Sequence, residues 1–392
     1  MPEPRPNGSA PPAPDVAASA DEAPPPPVFS LRRVFWPLLL SVSVLVVIGY
    51  FTFDPEEFRQ LELMKRLNPW LAAAALGTLV LRVLFGGGRL AYVSNGRLDL
   101  MAGIRGQLAW DFFSNVTPSA VGGGPVAAFY VARDRGIPFG EATAFMLFSV
   151  LLDQFWFVLT VPLMLISAFY LDLFPGSIGL AGALTMIGYF VGMMTWSAFF
   201  AYAMLFRPVL LEQGADRLFR LRWLRRFHTR VMSEMGQLRH RAEALSRQPF
   251  RFFVNGFLLT MGGWISRYML VVFIVWSVYP QLDVVLFFMR SVAMMLGSLI
   301  LPTPGGSGGL EGFYVLFLGP PLMPQTLVAP TLLTWRILGY YLFIALGAVL
   351  PIYQARKAFR QRQAAQAAAP TPEVSVNGHA IRQTSETVEN RE

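Results

Sequence analysis

The chain has 392 residues, 54% of them apolar and 14% charged, with a formal net charge of +8; soluble domains run nearer ~45–50% and ~25%. That balance excludes an ordinary soluble fold, and the absence of cysteine excludes disulfides, zinc–thiolate sites and thiol redox chemistry. Nearly all the basic charge is arginine flanking apolar runs, with lysine only at Lys65 and Lys357, so it reads as a topology signal and no nucleic-acid partner is expected.

Residues 1–30 are Pro, Ala and acidic residues without apolar periodicity, a composition that predicts a disordered tail. Arg32 and Arg33 then precede an apolar run from Phe35 to Phe53, too long for a cleaved signal and lacking a small-x-small site, which predicts an uncleaved first transmembrane helix. Further spans are predicted at Pro69 to about Leu90, Thr143 to Tyr170, Ile178 to Phe206, Phe252 to Val278 and Thr326 to Tyr353, because a ~30 Å hydrocarbon core needs about 20 apolar residues of helix. The 207–251 linker carries eleven arginines against four acids. Its Leu218, Leu221, Leu224, Phe227, Val231, Met235 and Leu238 recur at spacings of three and four, predicting a basic amphipathic helix on the cytoplasmic headgroup surface. The transmembrane domain is expected over 31–356, and residues 357–392 form a second disordered, cytoplasmic tail.

Two apolar segments, around 107–131 and 284–318, are decided by charge parity. Arginines at 32, 33, 89, 97 and 105, in the 207–251 linker and after the last span place those positions and both termini inside the cell. The first ambiguous segment must then enter and leave by the inner face, and the second by the outer. The expected fold is an all-α integral membrane protein of about six full transmembrane helices plus two oppositely oriented re-entrant hairpins. Eight full crossings are the alternative, and require one charge assignment to be wrong.

The two segments also resemble each other. Thr117-Pro118, Gly122-Gly123-Gly124 and Phe129-Tyr130-Val131 recur as Thr303-Pro304, Gly305-Gly306 with Gly308-Gly309, and Phe313-Tyr314-Val315. This order predicts an inverted repeat with broken helices. Half-helices starting near Pro125 and Leu310 would aim unpaired N–H groups at the midplane and form an anion site with Asn115, Gly122, Gly123, Gly124, Gly305, Gly306 and Gly308. A structural kink is the alternative.

Arg82, Asp111, Asp153, Arg267, Arg290, Glu311 and Arg336 all fall within predicted membrane segments, where each unpaired central charge costs on the order of 3 kcal/mol. Arg82 lies near the inner end of its expected span and could snorkel. The four arginines against three acids predict a net positive cavity suited to a phosphate, which guanidinium grips with two parallel hydrogen bonds. For Asp111, Asp153 and Glu311 the expected role is pairing with these arginines or coupling movement to protons. The three histidines, His228, His240 and His379, lie in the linker or tail, and no G-x-x-x-x-G-K-[ST] occurs, so no catalytic residue, metal or cofactor is expected.

Asn115-x-x-Pro118, the Gly122–Gly124 cluster, Tyr130-x-x-Arg133 with Gly136 and Glu141, and Pro304-Gly305-Gly306-x-Gly308-x-x-Glu311 together resemble the transmembrane, flippase-like region of the lysylphosphatidylglycerol synthase family over about residues 35–355. Full-length synthases of that family add a cytosolic aminoacyl-transfer domain; the roughly 38 residues after the last span are too few for one. The resemblance implies flipping without synthesis. The expected function is translocation of an anionic or phosphate-bearing membrane lipid across a bacterial inner membrane. The alternatives are an accessory subunit bound to a lipid-synthesis or envelope-synthesis protein and a membrane-embedded lipid-modifying enzyme.

Overall fold

The computed structural model describes residues 67–116, 123–207, 247–301 and 303–350, with isolated positions at 43, 46, 209, 213, 216, 217, 220 and 232. The expected first span, both tails and most of the basic linker lie outside the described residues. Residues 1–348 form one compact unit, which holds every feature below; of a second unit, 349–392, only 349 and 350 are described.

Among the described residues the elements are all helical. They are α1 (Pro69–Val93), α2 (Leu100–Val116), α3 (Gly123–Arg135), α4 (Phe139–Ser167), α5 (Gly179–Phe206), α6 (Phe250–Val278), α7 (Val284–Ser298), α8 (Gly309–Leu318) and α9 (Gln325–Arg336), the last continuing through a π-turn at Ile337–Tyr341. Helices α1, α4, α5, α6 and the run Gln325–Leu350 are long and apolar enough to cross a membrane. Helices α2, α3, α7 and α8, of 17, 13, 15 and 10 residues, are not: at 1.5 Å per residue they reach about 26, 20, 22 and 15 Å.

α1 and α6 form the central antiparallel pair. Asn68 N–H at the start of α1 donates to Ser277 O at the end of α6 (2.8 Å), and at the opposite end Tyr92 stacks on Phe252 with centroids 5.0 Å apart. Asn68 also caps α1, its side chain accepting from Trp70 N–H at 3.0 Å, with Pro69 pre-set at the first helical position. The α2–α3 hairpin leaves from the end of α1 and the α7–α8 hairpin from the end of α6, so antiparallel α1 and α6 make the hairpins enter from opposite ends of the bundle. α2 packs closely on α1 where Gly103 meets Gly87: a methyl group at position 103 would lie 2.1 Å from Gly87 O.

Burial separates centre from periphery. In their most apolar stretches 61% of α4 residues are buried but only 6% of those in the span containing α5, so α5 lies at the periphery. α5 follows a short 3₁₀ turn at Gly176–Ile178 and packs mainly on α4. The densest core gathers Tyr268, Phe287, Tyr314 and Phe317, none more than 2% exposed, around the second hairpin.

Candidate functional site beside the second hairpin tip

The end of α2 lies against the tip of the second hairpin. The second tip is a 3₁₀ turn at Pro304–Gly306, with Gly305 (φ 57°), Gly306 (φ 68°) and Gly308 (φ 89°) in left-handed or related backbone that glycine alone adopts without strain. From the π-turn of the last helix, Tyr340 joins the end of α2 to the second tip: its hydroxyl donates to Asn115 O (3.4 Å) and accepts from Ser307 Oγ (3.3 Å). Arg336, one turn earlier, binds Glu311 Oε1 through Nε (2.9 Å) and Nη2 (2.6 Å), and donates to Gly305 O (3.4 Å).

A cavity of about 680 Å³ opens beside the second tip, lined from α1, α2, α4, α5, α6 and that tip. Arg82 Nη2 and Arg267 Nη2 both bind Asp111 Oδ1, at 3.0 and 2.9 Å. Arg82 also donates to Gly339 O in the π-turn (3.3 Å) and lies 4.0 Å over the Phe343 ring. On the far side Arg89 binds Asp153 Oδ1 at 2.6 Å, and Trp264 Nε1 donates to the same oxygen at 2.8 Å. Three arginines and two aspartates line this space, leaving one net positive charge. Arg267 is the most open of the three, its side chain 31% exposed against 11% for Arg82 and 9% for Arg89, and it borders an adjoining recess of about 150 Å³ that Arg336 also lines.

Of the residues expected at the site, Arg82, Asp111, Asn115, Asp153, Arg267, Gly305 and Gly306 line the main cavity and Arg336 the recess. Glu311 is buried behind Arg336; Gly123 and Gly124 begin α3, packed on Ser114 and Trp110. Gly122 lies outside the described residues, and Gly308 caps α8. Four expectations need correction. Arg82 does not snorkel: α1 runs to Val93, past the expected end near Leu90, which places Arg82 mid-helix on Asp111. Arg290 does not reach the cavity; Nε donates to Asp172 O (2.8 Å) and Nη1 to Phe317 O (3.3 Å), capping carbonyls of neighbouring segments. The α8 N-terminus is not an open anion site, because Glu311 Oε2 accepts the Gly308 N–H at 2.8 Å. Arg89, taken as a marker of the span's inner end, is a buried cavity residue.

Beyond the cavity, the residues around Arg133 to Glu141 tie the open end of the first hairpin. Arg105 binds Asp134 Oδ2 (2.9 Å), Arg97 binds Glu141 Oε1 (3.1 Å) and Arg135 binds Asp99. The Arg135 guanidinium and the Ala102 N–H hold the Asp99 carboxyl below the usual aspartate range.

These features define an all-α integral membrane protein in which two short-helix hairpins both border a positively charged cavity. The chain belongs to the lysylphosphatidylglycerol synthase TM region family, whose description it matches over residues 35–347. It is similar to a UPF0104 membrane protein of Archaeoglobus fulgidus, 24% identical over 326 residues that cover 80% of this chain and 94% of the relative. No solved structure matches it.

Proposed function

We propose that this protein translocates an anionic, phosphate-bearing lipid across a bacterial inner membrane, the headgroup passing through the cavity beside the second hairpin tip while the acyl chains stay in lipid. The observation that carries the reading is Arg267: a partly open guanidinium, anchored on a carboxylate it shares with Arg82, in a cavity with net positive charge. Guanidinium matches phosphate geometry and is less strongly hydrated than an ammonium, so it can exchange Asp111 for a phosphate oxygen at modest desolvation cost. The volume of about 680 Å³ falls in the ~300–1,000 Å³ range of small-molecule sites. Family membership supports the same reading. In the proposed orientation the hairpin end bearing Arg97, Arg105, Arg133 and Arg135 faces the cytoplasm, as do both termini.

The test is movement of fluorescent phosphatidylglycerol, cardiolipin and an uncharged lipid by the purified chain in liposomes, with and without a proton gradient. The expected result is selective movement of the anionic lipids, reduced at least about tenfold in Arg267→Ala, the loss of one charge-assisted contact. No movement of any lipid by correctly folded protein would overturn the proposal in favour of an accessory subunit for a lipid-synthesis enzyme.

A further inference from the structure

The cavity carries polar groups besides its charges, and one of them a phosphate cannot satisfy. Gln107 lines it, is 4% exposed, and has no partner for Oε1 among the described residues; Ser114 Oγ, from the first hairpin, and Thr303 Oγ1, from the second tip, line it in the same condition. A phosphate oxygen is only an acceptor and cannot satisfy an amide oxygen, which needs a donor. Hydroxyl groups can satisfy all three positions, since each hydroxyl both donates and accepts.

Part of the remaining wall is aromatic. Trp110 of α2 and Trp264 of α6 line the cavity and are partly exposed. An indole face is electron-rich and receives polarised C–H bonds. Flat aromatic faces beside unpaired amide and hydroxyl groups suit a ring that carries C–H bonds on its faces and hydroxyls on its rim. A primary-amine headgroup fits poorly, because it would meet the net positive charge of the arginines.

Resting on the translocator reading, we propose that the headgroup is polyhydroxylated: a sugar-like or cyclitol ring esterified to the phosphate. The phosphate binds Arg267, the ring lies against the tryptophans, and its hydroxyls donate to Gln107 Oε1 and pair with Ser114 and Thr303. Two hairpins and one long helix, α6, thereby read one headgroup together.

Calorimetric titration of short-chain phosphatidylinositol, phosphatidic acid, phosphatidylserine and phosphatidylcholine into the full chain in detergent tests this. Phosphatidylinositol is expected to bind at least about tenfold tighter than phosphatidic acid, since a site that pairs hydroxyls discriminates against the ligand that lacks them. Gln107→Ala should weaken phosphatidylinositol more than phosphatidic acid and so bring the two affinities together. Ser114→Ala, a milder change, should give a smaller loss in the same direction. Equal binding of phosphatidylinositol, phosphatidic acid and phosphatidylserine would overturn the hydroxyl reading and leave the anion reading standing. A preference for phosphatidylinositol that neither variant alters would overturn the assigned residues. Binding of phosphatidylcholine as tight as any anionic lipid, or no binding at all, would overturn the translocator reading with it.

Discussion

Asp111 holds two guanidiniums on one oxygen, and this sharing decides what its removal does. Without the carboxylate, Arg82 and Arg267 become adjacent like charges in a largely dehydrated site, so Asp111→Ala should lower stability by about 3–5 kcal/mol. Thermal unfolding in detergent measures this, and adding Arg82→Met should recover part of the loss. Arg290 supplies the contrast. Because it serves backbone carbonyls away from the cavity, Arg290→Met should lower the melting temperature yet leave headgroup binding unchanged, a result that titration with an anionic lipid checks. The sequence places Arg82 and Arg267 with the acids of a positive cavity, but it assigns Arg290 there too and leaves Arg89 out. Arg89 counts as a topology marker because it stands at the expected inner end of the span near Leu90, whereas α1 runs on to Val93 and its glycines admit close neighbours such as Gln107 and Ile104. Arg290 is legible as a membrane arginine, but its partners are carbonyls of segments 118 and 27 residues away, which leave no side-chain signature.

At the level of elements, the second hairpin tip depends on glycine twice. A methyl group at Gly305 would stand 2.2 Å from the Tyr340 ring, and φ of 57° is strained for any residue with a Cβ. Gly305→Ala should therefore push Tyr340 off the second tip and the end of α2 and lower stability by about 1–3 kcal/mol, read as a drop in melting temperature. The first hairpin is tied instead by ion pairs at its open end. Asp99, held ionised by Arg135 and Ala102, contributes above the ordinary aspartate range, and that contribution is lost as pH falls through its lowered folded value. Acid should loosen this end, and Asp99→Asn should remove that part of the acid sensitivity in hydrogen exchange of α2 and α3. Both hairpins are legible from charge parity and the repeated Thr-Pro, Gly-cluster and Phe-Tyr-Val order. The closing of the α8 terminus by its own Glu311 is not, because a carboxylate three residues past a glycine reads equally as cap, partner or proton carrier.

For the whole molecule, the antiparallel α1–α6 pair and the opposed hairpins set up a direct test of orientation. The chain has no cysteine, so Asp283→Cys, at the exposed N-cap of α7, is a unique label. Modification by a membrane-impermeant reagent from outside intact cells alone is expected; modification only after lysis would reverse the proposed orientation. The class of fold was legible because apolar run length and arginine placement are local properties. A positive cavity was legible from its charges, but its walls were not, since they come from separate segments whose approach no local pattern encodes. That assembly also has a consequence for biosynthesis. Arg267 follows Asp111 by 156 residues, which at about 5–20 residues per second takes the ribosome roughly 8–30 s to add. Arg82, already made 29 positions before Asp111 (111 − 82), can neutralise it through that interval. The doubly bonded oxygen thus lets the first half of the chain enter the bilayer without a bare carboxylate, long before the second half exists to complete the site.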